Sequence, residues 1–292
     1  MSSLNEIRKR ISAVNNTSKI TQAMKLVATA KIQRQKADFI QISSYINELY
    51  EMLLQLTKST SYDSVFVKKN KEANKNLHIL VSSSLGLCGP YNINVAKHLI
   101  NQISSDDDII VIGSKGYSYL KSRGYKHQIV DYYEFTNSRP SHISLLPLSQ
   151  YVINNFALGN YKNVYLTYTK YQNSINFFPT TSLILPLSRE LFASNQEELK
   201  SLATYELNDE NKIIDFIPNR HRIVNKLIPF LTSSMIIAAM IESQLCEYSS
   251  RRNAMESATD NAKGLIDNLK LEYNQARQEK ITQEINEIVA GS

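Results

Sequence analysis

The chain has 292 residues, a hydrophobic share of 42% and a formal net charge of +6 at neutral pH, enough for one large domain or two modest ones with a real core. No apolar run approaches the length of a membrane-spanning helix, and the N-terminus lacks the apolar core of a signal peptide. Two isolated cysteines, Cys88 and Cys246, make neither a disulfide framework nor a zinc site and point to a reducing compartment.

The first 58 residues contain neither glycine nor proline, so nothing in them breaks a helix. Leu4, Ile7, Ile11 and Val14 open an a/d stripe at spacings of three and four. The stripe then shifts register across Asn15, Asn16 and Thr17, continues through Ile20, Met24 and Val27, and returns beyond Asp38 as Ile42, Ile46, Leu49, Leu53 and Leu56. Residues 1–40 carry eight basic residues against Glu6 and Asp38, so this arm holds the whole positive excess. A basic helix suits nucleic acid, an anionic membrane or acidic protein surfaces, or is simply a solvated face. Arg8, Lys9, Arg10 and Lys19 belong to this regular helix rather than to a transit peptide.

The middle holds all seven prolines and six of the eight glycines. Residues 68–75 form a charged linker into it. Residues 77–82 (Leu-His-Ile-Leu-Val-Ser) read as a buried strand, followed by a Gly-rich turn and a helix over 92–103. Ile109, Ile110, Val111 and Ile112 form a second strand, with Gly113-Ser114-Lys115-Gly116 and a helix over 117–122 behind it. Further strands are expected over 163–169 and 182–186, with a polar turn at 208–211 leading out. Alternating strands and helices predict an α/β unit. A strand, a Gly-rich turn and a helix suit phosphate binding, yet neither G-x-x-x-x-G-K-[ST] nor G-x-G-x-x-G occurs. The five histidines are scattered, without metal-ligand spacing, and nothing marks an activated serine or cysteine. The sequence argues against an autonomous enzyme.

From Phe230 to Val289 only Gly264 interrupts good helix formers, so a second long helix is expected to start after Pro229. Ala258, Ala262, Leu265, Leu269 and Tyr273, then Ile281, Ile285 and Ile288, recur at threes and fours. Each arm would span roughly 80–90 Å, too long for an ordinary surface helix. The expected fold is therefore an α/β chain: an antiparallel coiled coil of long N- and C-terminal helices plus a central Rossmann-like α/β domain. The division predicted is 1–67, 68–207 and 208–292.

Both arms also carry longer motifs. Leu4-Asn5-Glu6-Ile7-Arg8-Lys9-Arg10-Ile11 and Asn16-Thr17-Ser18-Lys19-Ile20-Thr21-Gln22-Ala23-Met24-Lys25-Leu26-Val27-Ala28 open the chain. Met255-Glu256-Ser257-Ala258-Thr259-Asp260-Asn261-Ala262, Tyr273-Asn274-Gln275-Ala276-Arg277-Gln278 and Ile281-Thr282-Gln283-Glu284-Ile285 close it. With Gly86-Leu87-Cys88-Gly89 in the middle, the chain resembles the gamma subunits of F-type ATP synthases over its whole length, most strongly over 4–35 and 240–291.

That resemblance implies a rotor shaft rather than a catalyst, without cofactor or metal. Its coiled coil would stand inside a ring of alternating alpha and beta subunits. Its α/β domain would form a foot that binds epsilon and sits on a membrane ring of c subunits. Membrane contact would come only through the complex, at the cytoplasmic face of a bacterial cell membrane, and no nucleic acid would bind. Matching positions imply beta-subunit contacts at Arg277, Gln278, Thr282 and Glu284 near the tip, with Met24, Lys25 and Arg251 on facing shaft surfaces. Asp215, Phe216 and Ile217 fall on the side toward the c ring. The chain departs from the family pattern at Leu85, where Arg is usual, at Pro90, where Gly is usual, and at Ile217, where an acid is usual. These departures suit a divergent ATPase shaft that lacks a c ring and drives another partner. A stand-alone basic coiled-coil adaptor and a small α/β nucleotide enzyme are the readings from other classes.

Overall fold

A computed structural model describes residues 4–57, 66–67, 70, 73–135, 140–187 and 220–291. Asp215, Phe216, Ile217 and the turn at 208–211 lie outside the described residues. In chain order the elements are α1 (Leu4–Thr57), β1 (Leu77–Val81), α2 (Tyr91–Ile100), β2 (Asp108–Ile112), α3 (Ser114–Ser122), a 3-10 turn (Tyr125–Gln128), β3 (Ile129–Tyr133), α4 (Leu146–Ala157), β4 (Val164–Tyr171), β5 (Phe177–Leu185) and α5 (Arg220–Ala290). The strand β3 and the helix α4 were not anticipated from the sequence.

The two long helices lie side by side and antiparallel. Thr21 meets Thr259 (2.7 Å), Lys25 meets Glu256 (2.7 Å), Gln35 meets Gln244 (3.0 Å) and Tyr50 meets Met235 (3.2 Å), so partner numbers fall along α5 as they rise along α1. Their seam keeps a strict heptad. From Ile7, steps of four and three reach Ile11, Val14, Ser18, Thr21, Lys25, Ala28, Ile32, Gln35, Phe39, Ile42, Ile46, Leu49, Leu53 and Leu56, all buried or half-buried. An unbroken seven-residue repeat is the pattern of a left-handed coiled coil.

The register shift expected near Asn15 therefore does not occur. Ile20 (61% exposed) and Val27 (57%) point away from α5, because the seam continues through polar Ser18, Thr21, Lys25 and Gln35. On α5 the seam runs through Met255, Thr259, Ala262, Ile266, Leu269, Tyr273 and Ala276. Ile266 replaces the expected Leu265, which is 48% exposed.

The C-terminal helix also starts earlier than expected, at Arg220, and runs through Pro229. Proline removes one intrahelical hydrogen bond. Ile228 and Leu231 on either side are fully buried, so burial of this face outweighs the lost bond. By length and composition α5 contains a stretch apolar enough to cross a membrane, but half of that stretch is buried inside the molecule. Its apolar residues, including Ile236, Ile237 and Met240, belong to the main core.

The sheet has the order β3-β2-β1-β4-β5, parallel except for β5, which runs antiparallel to β4. All five residues of β1 are buried, as expected for a parallel strand covered on both faces. Leu77, Ile79 and Val81 project into the core shared with α1, α4 and α5. Leu80, Ile109 and Val111 pack with Val95 and Leu99 of α2 and Leu120 of α3. Gly113 ends β2 with φ +100°, and a Cβ there would collide with the Ser82 carbonyl. This close approach draws the β1 and β2 loops together.

Leu53, 1% exposed, packs where the shaft joins the sheet core. Leu53→Ala is expected to lower stability by about 2–5 kcal/mol, measured on the full chain as a lower urea midpoint at unchanged slope.

Candidate functional site

In doubly wound sheets the crevice beyond the carboxyl ends of the parallel strands is the usual ligand site. Here α5 fills it. The Tyr91 hydroxyl donates to the Ser243 carbonyl (3.0 Å), and the Ser243 hydroxyl accepts from the Thr169 amide (3.4 Å). Glu242 accepts from the Tyr171 amide (2.8 Å), and Ser250 donates to the Cys88 carbonyl (2.7 Å). The amino end of α3 is taken as well: Lys115 N donates to the Ser83 carbonyl (3.0 Å) and Gly116 N to the Ser82 hydroxyl (3.0 Å). Amides that cradle phosphate in nucleotide folds are here satisfied by the β1 loop.

Arg251 locks the junction. It is 7% exposed, and its guanidinium donates to the Gly86 carbonyl (3.1 Å) and to Glu247 (2.7 Å). Its plane also lies 5.8 Å from the Tyr248 ring, with Lys31 of α1 5.1 Å from the same ring. Burial pushes the Glu247 carboxyl up, while Arg251 and then Lys31 pull it back. Cys88 and Cys246 lie in one small cluster with Tyr91. Burial pushes both thiols up, so neither is a thiolate nucleophile at neutral pH.

The residues singled out from the sequence fall into two groups. Met24 and Lys25 sit at the level of Glu256, where the Lys25 ammonium holds the Glu256 carboxyl below its ordinary range. Arg251 lies nearby but faces inward. Arg277, Gln278, Thr282 and Glu284 form a separate group, about 39 Å along the helix from Arg251 at 1.5 Å per residue.

Among the described residues, this second group stands on a helix end that no other element covers. The 71 residues of α5 outrun the 54 of α1, and the seam ends at Ala276. From Arg277 to Gly291 every residue is exposed. Here Thr282 donates to the Gln278 carbonyl (2.9 Å), and Lys280 lies 3.6 Å from Glu284. Continuing the heptad would place Lys280, Gln283 and Glu287 on the seam. Ile281 and Ile288 lie one residue past those positions and Ile285 two, and all three are 46–73% exposed, so they form a separate face, contrary to their expected place on the coiled-coil stripe.

The family model described as ATP synthase matches residues 3–292. The ATP synthase gamma chain of Malacoplasma penetrans is 38% identical over 300 residues, covering 100% of this chain and 99% of that one. The gamma chain of Ureaplasma urealyticum is 37% identical, covering 99% of each. The chain belongs to the gamma-chain family of ATP synthases. Its fold agrees: the rotor of the Euglena gracilis mitochondrial ATP synthase superposes with a TM-score of 0.65 at 17% identity, over 95% of this chain and 98% of that one. The central stalk of the Tetrahymena thermophila enzyme gives 0.58 at 21% identity, over 82% of this chain and 99% of that one. The antiparallel helix pair and the sheet domain thus share the architecture of those chains.

Sequence reasoning missed the junction residues Glu242, Ser243, Glu247 and Ser250. A Glu-to-Arg spacing of four at 247 and 251 was a usable signal, but nothing local marked that pair as buried. Arg251→Ala leaves Glu247 buried without its partner and is expected to cost about 3–5 kcal/mol at neutral pH. Because burial raises the Glu247 pKa on folding, its ionisation penalty is absent below the ordinary carboxylate range and complete above the raised value. The Arg251→Ala loss should therefore shrink as pH falls into that range. Urea unfolding at neutral and mildly acidic pH checks this, and an equal loss at both would show that Glu247 is not ionised in the fold.

Proposed function

We propose that this gamma chain turns as a shaft inside a hexamer of alternating alpha and beta subunits, with the lone helix from Arg277 to Gly291 as the part that enters deepest. One observation carries the reading: a fully exposed helix end bears an isoleucine face that its own coiled coil does not cover. Such a face needs a partner surface, and beta-subunit loops supply one. Arg277, Gln278, Thr282 and Glu284 line this end and would meet those loops through charge-assisted hydrogen bonds. At the lower level Ile20, Leu26 and Val27 present outward apolar side chains beside Met24 and the Lys25–Glu256 pair, a second band for the same subunits.

The chain performs no chemistry of its own in this reading, in keeping with a ligand crevice filled by α5. Its work is coupling. An asymmetric shaft touches each beta subunit differently, so shaft angle and nucleotide state bias one another reciprocally. The α/β domain forms the foot, directed toward epsilon and the membrane ring of c subunits at the cytoplasmic face of a bacterial membrane. The buried Arg251 latch belongs to this transmission, keeping the foot in phase with the shaft.

Reassembly of the alpha-beta hexamer with variant gamma chains tests the reading. Arg277→Ala is expected to lower the ATPase rate of the complex by roughly tenfold, the equivalent of about 1.4 kcal/mol. An unchanged rate rejects a role for that side chain. Ending the chain after Ala276 removes only the lone helix, so the hexamer should still assemble while coupling of hydrolysis to rotation weakens. Full coupling in that truncated complex would overturn the placement of the tip.

A further inference from the structure

Between the sheet and the shaft lies a polar cavity of about 30 Å³, bounded by Ser83, Ser84, Tyr91, Ser243, Gln244 and Glu247. Most of its polar groups are already engaged. The Ser83 hydroxyl donates to the Leu85 carbonyl (2.6 Å), Tyr91 to the Ser243 carbonyl (3.0 Å), and Gln244 accepts from Gln35 of α1 (3.0 Å). One carboxylate oxygen of Glu247 is held by Arg251 (2.7 Å). The Ser84 hydroxyl is the exception, buried and without a hydrogen-bond partner among the described residues.

A buried hydroxyl without a partner is unstable, and natural folds resolve such groups with protein or with water. A water needs roughly 10–15 Å³ of free volume and two to four polar partners; this cavity supplies both. A larger ligand does not fit. A cation lacks a countercharge, because Arg251 and Lys31 already offset Glu247. We infer that the cavity is a built internal-water site, in which Ser84 of the loop after β1 and Gln244 and Glu247 of the shaft share at least one ordered water. Because Gln244 also holds Gln35, this water joins the sheet to both helices of the shaft, and its hydrogen bonds re-form as the shaft flexes without stranding the Glu247 charge.

High-resolution cryo-electron microscopy of the assembled complex tests it, with the wild-type chain and with Ser84→Ala. The expected result is ordered solvent density within hydrogen-bond distance of Ser84 Oγ and of Gln244 or Glu247, weakened or lost in Ser84→Ala while the surrounding chain is unchanged. An empty cavity, or Ser84 Oγ bonded to a protein group, overturns the inference. So does an anomalous peak in the cavity of crystals of the full chain grown with rubidium ions, which would make it a monovalent-cation site. If Ser84→Ala fails to assemble, the wild-type density and the rubidium experiment decide alone.

Discussion

Everything else in this molecule depends on the seam between α1 and α5. Long helices draw most of their stability from tertiary packing rather than from intrinsic propensity. The two arms come from opposite chain ends, so neither is secured until the other has formed and the sheet between them has closed the connection. The seam is not uniformly apolar. Near the sheet it is built from Ile46, Leu49, Leu53 and Leu56 and merges with the domain core. Farther out it runs through Thr21 against Thr259 and Lys25 against Glu256. Apolar seams are stronger but tolerate slipped registers, whereas polar pairs give up stability to specify one alignment. A shaft whose outer surface must present fixed residues at fixed heights gains from that exchange.

The same seam explains why the ligand crevice of a nucleotide-like fold is filled here. Parallel strands, a Gly-rich turn and a helix behind it are all present, but α5 crosses the carboxyl ends of the strands to reach its partner α1. In doing so it places Ser243, Cys246, Ser250 and Arg251 where a ligand would lie. Most of the groups buried there satisfy one another, with Cys246 donating to the Thr169 carbonyl at 3.4 Å. A crevice that recognises ligands in related architectures has become a joint.

Much of this was legible in the sequence. A 58-residue stretch without glycine or proline, and apolar positions at threes and fours at both ends, were enough for the helix pair. Buried strands such as β1 and β2 announced themselves as short apolar runs. The less legible parts share a cause, which is that position rather than composition decides them. Strand β3 is a half-exposed edge whose Val130 faces outward at 43% exposure, so it lacks an apolar run. Helix α4 begins with Pro147 in its first turn, which resembles a loop until its buried Leu148, Val152 and Phe156 are seen together. The seam residues Ser18, Thr21 and Gln35 are polar, so hydrophobic periodicity jumped to Ile20 and Val27 on the outer face. At the candidate site the motif put Arg277, Gln278, Thr282 and Glu284 toward the helix end, where they lie exposed. The inward turn of Arg251 was not, because its partners Leu85 and Gly86 lie more than a hundred and sixty residues away.

The phase change at Ala276 shows how the two demands on α5 are kept apart. Up to that residue the heptad serves the partner helix, and beyond it Ile281, Ile285 and Ile288 leave the seam positions for another face of the helix. Had Ile281, Ile285 and Ile288 stayed in phase, they would extend a self-complementary seam, and an unpaired seam invites a second copy of the chain or a longer α1. Shifted out of phase and set among Arg277, Lys280, Glu284 and Glu287, they make a face that the chain's own coiled coil cannot cover. The free end is therefore left uncovered by sequence phase, not merely by the greater length of α5.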